Sequence, residues 1–135
     1  MLVVRDVAAS SRFYQRVLGA ESGHGGDEYE QIVRDGEVLL QLHDVDVEDH
    51  HGPLADPDQP FGNGVLLWFE VADFQAVVDQ VRATGASVVR DVHTNPNARQ
   101  QEIWVRDPDG YLVVLAGPSE YRPRHGGNQL TAGTT

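Results

Sequence analysis

Cysteine is absent from this chain, and basic residues are few. Without cysteine the protein has neither a disulfide framework nor a thiolate that acts as nucleophile or metal ligand. The 135 residues include 21 acidic and 10 basic side chains, and the net charge of −11 argues against nucleic-acid binding. An acidic surface first of all favours solubility, and it would also attract a cationic ligand.

Long apolar runs are missing as well. No segment approaches the ~20 residues that cross a bilayer, so we expect no contact with membranes. The opening residues 1–6 do not combine a basic segment with an apolar core, so we expect no signal peptide and a cytoplasmic location. The remaining composition, 40% hydrophobic and 23% charged, is ordinary for a single globular domain.

One strand–helix pattern occurs twice along the chain. In each copy a strand-like run leads to an aspartate, about three turns of helical apolar periodicity follow, and a glycine ends the periodic stretch. The flanking residues are Asp6 and Gly19 in the first copy, and Asp73 and Gly85 in the second. This spacing predicts helices near residues 7–18 and 73–84.

Two hairpin signals follow the predicted helices at matching places. Asp35-Gly36 separates two strand-like runs in the first half, and Asp107-Pro108-Asp109-Gly110 does so in the second. Each half therefore reads as β-α-β-β with room for a further strand. We expect an α+β fold built from one duplicated unit.

Three segments carry a resemblance to a known family. They are Val4–Gly19 with its Arg-Asp-Val and Leu-Gly ends, Trp68–Asp73, and Trp104–Tyr111 with its Asp-Pro-Asp-Gly turn. In this order they resemble the vicinal oxygen chelate superfamily of glyoxalases, bleomycin resistance proteins and ring-cleaving dioxygenases. The resemblance implies two βαβββ modules whose mixed sheets curl into cups around a ligand or metal cavity.

The resemblance also sets the expected domain layout. It covers residues 1–116 as a single domain, with module one at about 1–48, a linker at about 49–63 and module two at about 64–116. The polar tail 117–135 is expected to be loose. Because cupped modules of this family commonly complete their cavity across a two-fold interface, the resemblance implies a homodimer.

The metal ligands that the resemblance implies are mostly missing. Two family positions are aliphatic, Leu66 and Val114, and a third is best aligned with Gln41. The fourth would fall before Met1. A catalytic divalent ion needs about three nitrogen or oxygen ligands from the protein, so we expect no family-type metal and no cofactor.

Strand alternation predicts which side chains line the cups. A three-residue hairpin loop pairs Trp104 with Val114 and Glu102 with Ala116 in module two. A two-residue turn pairs Glu30 with Gln41, and Glu28 with His43, in module one. The predicted ligand-binding residues are Glu30, Gln41, His43, Trp68, Glu70, Glu102 and Trp104.

Tryptophans and carboxylates on one face suit an aromatic or cationic small molecule. We therefore expect a small-molecule binding protein of the bleomycin resistance type that sequesters a drug or metabolite without a metal. The alternatives are a metal-dependent lyase, isomerase or dioxygenase of the glyoxalase type, and a bare interaction module. It also remains open whether the tryptophans simply fill the core and the glutamates lie on exposed sheet edges.

Other polar clusters carry weaker signals. His50 and His51 lie in an acidic linker that is more typical of a solvated loop than of a metal site. His93 precedes Asn95-Pro96-Asn97, a segment that predicts a loop and a lid over the cup. Glu70 with Glu102 is a candidate acid–base pair, although paired carboxylates alone are weak evidence for catalysis.

Overall fold

The computed structural model describes residues 1–47 and 52–119. Module one contains β1 (Leu2–Val4), α1 (Val7–Leu18), β2 (Glu21–Gly25), β3 (Tyr29–Arg34) and β4 (Glu37–Asp44). Module two contains β5 (Leu66–Glu70), α2 (Phe74–Thr84), β6 (Ser87–Asn95), β7 (Gln100–Arg106) and β8 (Leu112–Ala116). Both predicted helices are confirmed, α2 one residue later than expected. Part of the predicted linker and most of the predicted tail lie outside the described residues.

The two sheets have the same topology. Their strand orders are β1-β4-β3-β2 and β5-β8-β7-β6, with four strands in each sheet. The first strand of each module runs parallel to the last, and the other neighbours are antiparallel. The predicted α+β fold of two βαβββ modules is therefore confirmed.

Local signals at the helix ends explain why the helices begin and end where they do. The carboxylates of Asp6 and Asp73 accept hydrogen bonds from the amides of Ala9 and Ala76, which caps the first turn of each helix. Gly19 and Gly85 end the helices in the left-handed conformation, with φ of 59° and 66°. Glycine adopts this conformation without the steric cost that a side chain would bring.

The hairpin of module two has the predicted register. The amide of Asp107 donates to the carbonyl of Tyr111, and Trp104 and Glu102 lie opposite Val114 and Ala116 as expected. The pairing predicted for module one is wrong. Asp35 and Gly36 do form a two-residue turn with positive φ, but one extra residue, Leu39, forms a bulge in β4.

That bulge shifts every later pair of the first hairpin by one residue. Gln41 lies opposite Gln31 and not Glu30, while His43 lies opposite Tyr29 and not Glu28. Because cross-strand partners share one face of a sheet, Glu30 points to the face of its partner Leu42, away from Gln41 and His43.

The modules pack against each other through their helices. α1 contacts β3 and β4 of its own sheet and also α2, which contacts β8. The buried apolar residues of both modules form one cluster, so each sheet has one face on this core. We call the opposite face of each sheet its cup face.

The module-two hairpin turn also joins the modules. The hydroxyl of Tyr14 in α1 donates to Oδ2 of Asp107 at 2.7 Å, and the amides of Asp109 and Tyr111 donate to Oδ1. Burial raises the pKa of Asp107 although these hydrogen bonds oppose the shift. The carboxylate is thus costly to bury and depends on its donors.

A second set of polar contacts surrounds the same turn. Asp109 accepts from the backbone amide of Arg5 and from the hydroxyl of Ser10, and it lies 3.6 Å from the Arg5 guanidinium. On the other side, the hydroxyl of Tyr111 donates to the carbonyl of Val3 at 2.9 Å. The hairpin turn of module two therefore contacts β1, Arg5 and α1.

Removing the Tyr14 hydroxyl should weaken this junction. We expect Tyr14→Phe to lower the free energy of unfolding by about 1–3 kcal/mol, because Oδ2 of Asp107 would stay buried without its donor. Urea unfolding followed by circular dichroism measures the change. Tyr29→Phe, at a half-buried tyrosine of β3, is the matched control. Equal stability of the two variants would contradict this role of Asp107.

Candidate ligand-binding site

The cup face of module two brings together four of the predicted site residues. Trp104 and Trp68 flank Val114 across three neighbouring strands, and Glu102 and Glu70 flank Ala116 in the next row. The indole of Trp68 does not fill the core, since the residue is 47% exposed. Leu67 and Phe69, on the other face of β5, pack against the core as the alternation predicts.

These side chains form a patch on the cup face, with an indole on each side and small apolar residues between them. The two tryptophans are two strand spacings apart, or ~10 Å between Cα atoms. Val114 and Ala116 lie between the flanking side chains, and both are buried. Aromatic rings prefer centroid separations of ~4.5–7 Å, so a flat molecule between the two indoles would be within stacking distance of both.

Glu102 is the most strongly held carboxylate of this face. Its Oε1 accepts from Nδ2 of Asn95 at 2.9 Å, and its Oε2 accepts from Nε1 of Trp104 at 3.0 Å. Nε2 of His93 lies 3.4 Å from Oε2. Burial acts to raise the pKa of Glu102, but the contacts with Asn95, Trp104 and His93 outweigh it and lower that pKa.

His93 and Arg90 complete the surroundings of Trp104. Nδ1 of His93 donates to the carbonyl of Asp91 at 2.8 Å, so both ring nitrogens already face an oxygen. The Arg90 guanidinium lies 5.6 Å from the centre of the Trp104 ring. The contacts of Glu102 and His93 thus position the indole of Trp104.

Glu70 is placed differently from Glu102. It is exposed at the end of β5, next to Ala116, whereas only 4% of Glu102 is exposed. The expected Glu70–Glu102 acid–base pair would have to act across the buried Ala116, with one member held by hydrogen bonds. The arrangement leaves Glu70 as the carboxylate that is accessible to a ligand.

The remaining predicted residues belong to module one. Gln41 is half-buried and His43 is buried, and both lie on the cup face of the first sheet. Nδ1 of His43 lies 2.9 Å from the carbonyl of Asp44. Glu30 lies on the other face, where the Ser22 hydroxyl donates to its Oε1, so the bulge at Leu39 separates Glu30 from the predicted set.

The donor set does not fit the family's metal. Leu66 and Val114 have no lone pair to donate, so Gln41 is the single side chain of the three aligned positions that could bind a metal. Within residues 1–47 and 52–119, no group of three or more His, Asp or Glu side chains is placed to hold a metal ion.

Two weaker predictions have different outcomes. His93 and Asn95 belong to strand β6 and pair with β7, so the expected loop is wrong for these two residues, while Pro96 and Asn97 do lie in a turn. The acidic linker histidines His50 and His51 lie outside the described residues.

Sequence reasoning missed Arg90 as a neighbour of the site, and it placed Asn95 in a loop over the cup and not in the strand beside Glu102. The pairing of β6 with β7 shifts twice, between Val88 and Arg90 and between Arg90 and His93. These irregularities bring Arg90 and His93 to the cup face opposite Trp104 and Glu102. The run of β-branched residues before Arg90 was the available signal for a strand there.

Comparison with known proteins identifies the family. The Glyoxalase/Bleomycin resistance protein/Dioxygenase superfamily matches residues 1–115, and the chain belongs to it. Virulence protein STM3117 of Salmonella typhimurium is 26% identical over 118 residues, which cover 86% of this chain and 79% of that protein.

Solved structures share the fold. A glyoxalase/bleomycin resistance protein/dioxygenase from Nocardioides has a TM-score of 0.65 at 21% identity, over 90% of this chain and 85% of that one. The genomically encoded fosfomycin resistance protein FosX from Listeria monocytogenes has a TM-score of 0.61 at 14% identity, over 87% and 88%. Neither described helix is long and apolar enough to cross a membrane.

The hydrogen bonds of Glu102 predict a pH-dependent contribution to stability. We expect the free energy of unfolding of Glu102→Gln to be about 1–3 kcal/mol lower at pH 7, because half-buried donors lose a charged acceptor. A lowered pKa means that this contribution is present above the ordinary glutamate value of 4.5 and is lost as the pH falls through the folded-state pKa. The difference from the native protein should therefore narrow in acid.

Chemical denaturation at several pH values measures this difference. Glu70→Gln, at an exposed glutamate of the same face, is the matched control and should change stability little at any pH. If the loss of stability caused by Glu102→Gln grew as the pH fell, it would contradict the lowered pKa of Glu102.

Proposed function

We propose that this chain is a small-molecule binding protein that sequesters an aromatic or cationic drug or metabolite. The single observation that carries the proposal is the exposed indole of Trp68, which faces Trp104 across the buried Val114. Leaving an indole this exposed forgoes much of the free energy its burial would bring. A flat ligand that stacks on it recovers that free energy.

The charges of the face favour one orientation of the ligand. Arg90 already supplies a cation beside Trp104, and each carboxylate oxygen of Glu102 already accepts a hydrogen bond from the chain itself. A positive group of the ligand therefore belongs at the other side, beside Trp68 and Glu70. The net charge of −11 would attract such a ligand at long range.

Sequestration fits the donor set better than metal-dependent chemistry does. Leu66 gives exposed apolar surface at a position where metal-dependent relatives place a ligand, and apolar surface suits an organic molecule. The likeness to a fosfomycin resistance protein supports a role in drug resistance without naming the drug.

Ligand binding should change the emission of the two tryptophans, which are the only ones in the chain. We expect flat aromatic cations to quench or shift the emission in a saturable way. Trp68→Ala should cost ~1 kcal/mol or more of affinity, or about fivefold, because one stacking surface is lost. Glu70→Gln should weaken cationic ligands selectively and leave neutral aromatic ligands unaffected.

Glu28→Gln is the matched control, since this exposed glutamate lies in the other module, just before β3. Equal losses of affinity for cationic ligands in Glu28→Gln and Glu70→Gln would show that only the net charge matters. That result would refute a specific contact with Glu70. Stoichiometric tightly bound zinc, nickel or iron in the purified protein would instead favour the glyoxalase-type enzyme.

The proposal includes a homodimer that covers the cup face of module two. Leu66, Trp68 and the β6 residues Val88, Val89 and Val92 are all large exposed hydrophobic side chains. Leu66 and Trp68 lie on the edge strand β5, and the three valines lie on the opposite edge strand β6, where Val88 pairs with the core-facing Val105. Exposed apolar side chains of this kind mark interaction surfaces. A second copy related by a two-fold axis would present the same side chains, as isologous interfaces require.

Light scattering tests the dimer at micromolar concentration. Leu66→Glu should give the monomer mass, because a charge would be buried at the contact. Leu54→Glu is the matched control, since Leu54 is as exposed as Leu66 (49% and 48%) but lies in the segment between the modules. A monomeric native protein would refute the dimer and leave the ligand test unaffected.

A further inference from the structure

A cavity lies at the seam between the modules, away from the tryptophans. It is lined by the last turn of α1, the end of β3, the connection from β5 to α2 and the first turns of α2, and its volume is about 370 Å³. Its apolar wall includes Leu18, Val71, Ala76 and Val77. A volume above ~300 Å³ with mainly apolar walls is in the range of small-molecule sites.

Two arginines give this cavity a positive side. Arg34 is half-buried, and its Nη1 donates to the carbonyl of Leu18 at 3.1 Å. Arg16 is exposed on the last turn of α1. Within residues 1–47 and 52–119 neither forms an ion pair with a carboxylate, whereas Arg5 and Arg82 pair with Asp109 and Asp91.

The one acidic residue of the cavity wall is already engaged. Asp73 caps α2 by accepting from the amide of Ala76 at 3.1 Å. The cavity thus combines two guanidinium groups with apolar walls, in a chain whose net charge is −11. Guanidinium groups bind carboxylates and phosphates through paired hydrogen bonds.

We propose that this seam cavity binds an organic anion, with its carboxylate or phosphate on Arg16 and Arg34 and its apolar body against Val71 and Val77. The ligand differs in charge from the one proposed for the cup face. Because it contacts both α1 and α2, it would also stabilise the packing of the two modules.

Nuclear magnetic resonance titration with octanoate tests this site in the full-length native chain. We expect saturable shifts of the backbone amides from Val71 to Val77 and little change in tryptophan emission. Octanol, which has the same chain without the charge, should bind at least tenfold more weakly. Comparing octyl phosphate with octanoate identifies the preferred head group. Tighter binding of either anion than of octanol supports the proposal.

Substitutions distinguish the contribution of the positive charge to octanoate binding from that of the cavity space. Arg16→Gln should weaken octanoate about tenfold, and Ala76→Leu should weaken it similarly by filling the space. The matched controls are Arg12→Gln, one turn earlier on α1, and Ala83→Leu, at an exposed position of α2 outside the cavity. Equal losses from Arg12→Gln and Arg16→Gln, equal binding of octanol and octanoate, or shifts confined to the Trp68 and Trp104 strands would each overturn the proposal.

Discussion

The buried carboxylate of Asp107 connects the local structure of module two with the packing of the modules. Its Oδ1 accepts the amides of Asp109 and Tyr111, which fixes the hairpin turn, and its Oδ2 accepts the Tyr14 hydroxyl of the other module. An unpaired buried carboxylate would be strongly destabilising, so the turn and the module contact depend on one another. The same turn that sets the β7–β8 register thereby also fixes module two against α1, and the position of the cup face follows.

This packing decides where a ligand can bind. Because α1 and α2 contact each other and share one core with both sheets, the core faces of the sheets are occupied. The outer face of module two carries Trp68, Trp104 and Glu70, while the seam between the helices leaves a cavity bordered by Arg16 and Arg34. The two candidate sites thus result from one arrangement, and they differ in charge because different elements border them.

The helices and the second hairpin could be predicted because short local signals determine them. Asp6, Gly19, Asp73 and Gly85 act on atoms within a few residues, and the Asp107–Gly110 turn fixes its own register. The bulge at Leu39 could not be predicted, since leucine fits a regular strand equally well, and one extra residue moved Glu30 to the other face. The contacts of Glu102 with His93 and Asn95 depend on two irregularities of β6, and nothing in the local sequence specifies them.

Family membership alone does not determine what this protein does, because function depends on the side chains placed on the fold. At the positions Leu66 and Val114 the chain has aliphatic groups in place of metal ligands, and beside Val114 it has two indoles. An aliphatic group cannot polarise a substrate, but it can contact an apolar one through dispersion and the loss of hydrating water. The carboxylate that could act on a substrate, Glu102, instead accepts hydrogen bonds that orient Trp104. A carboxylate that holds an aromatic ring in place supports the proposal of ligand recognition at this cup face over one of proton transfer.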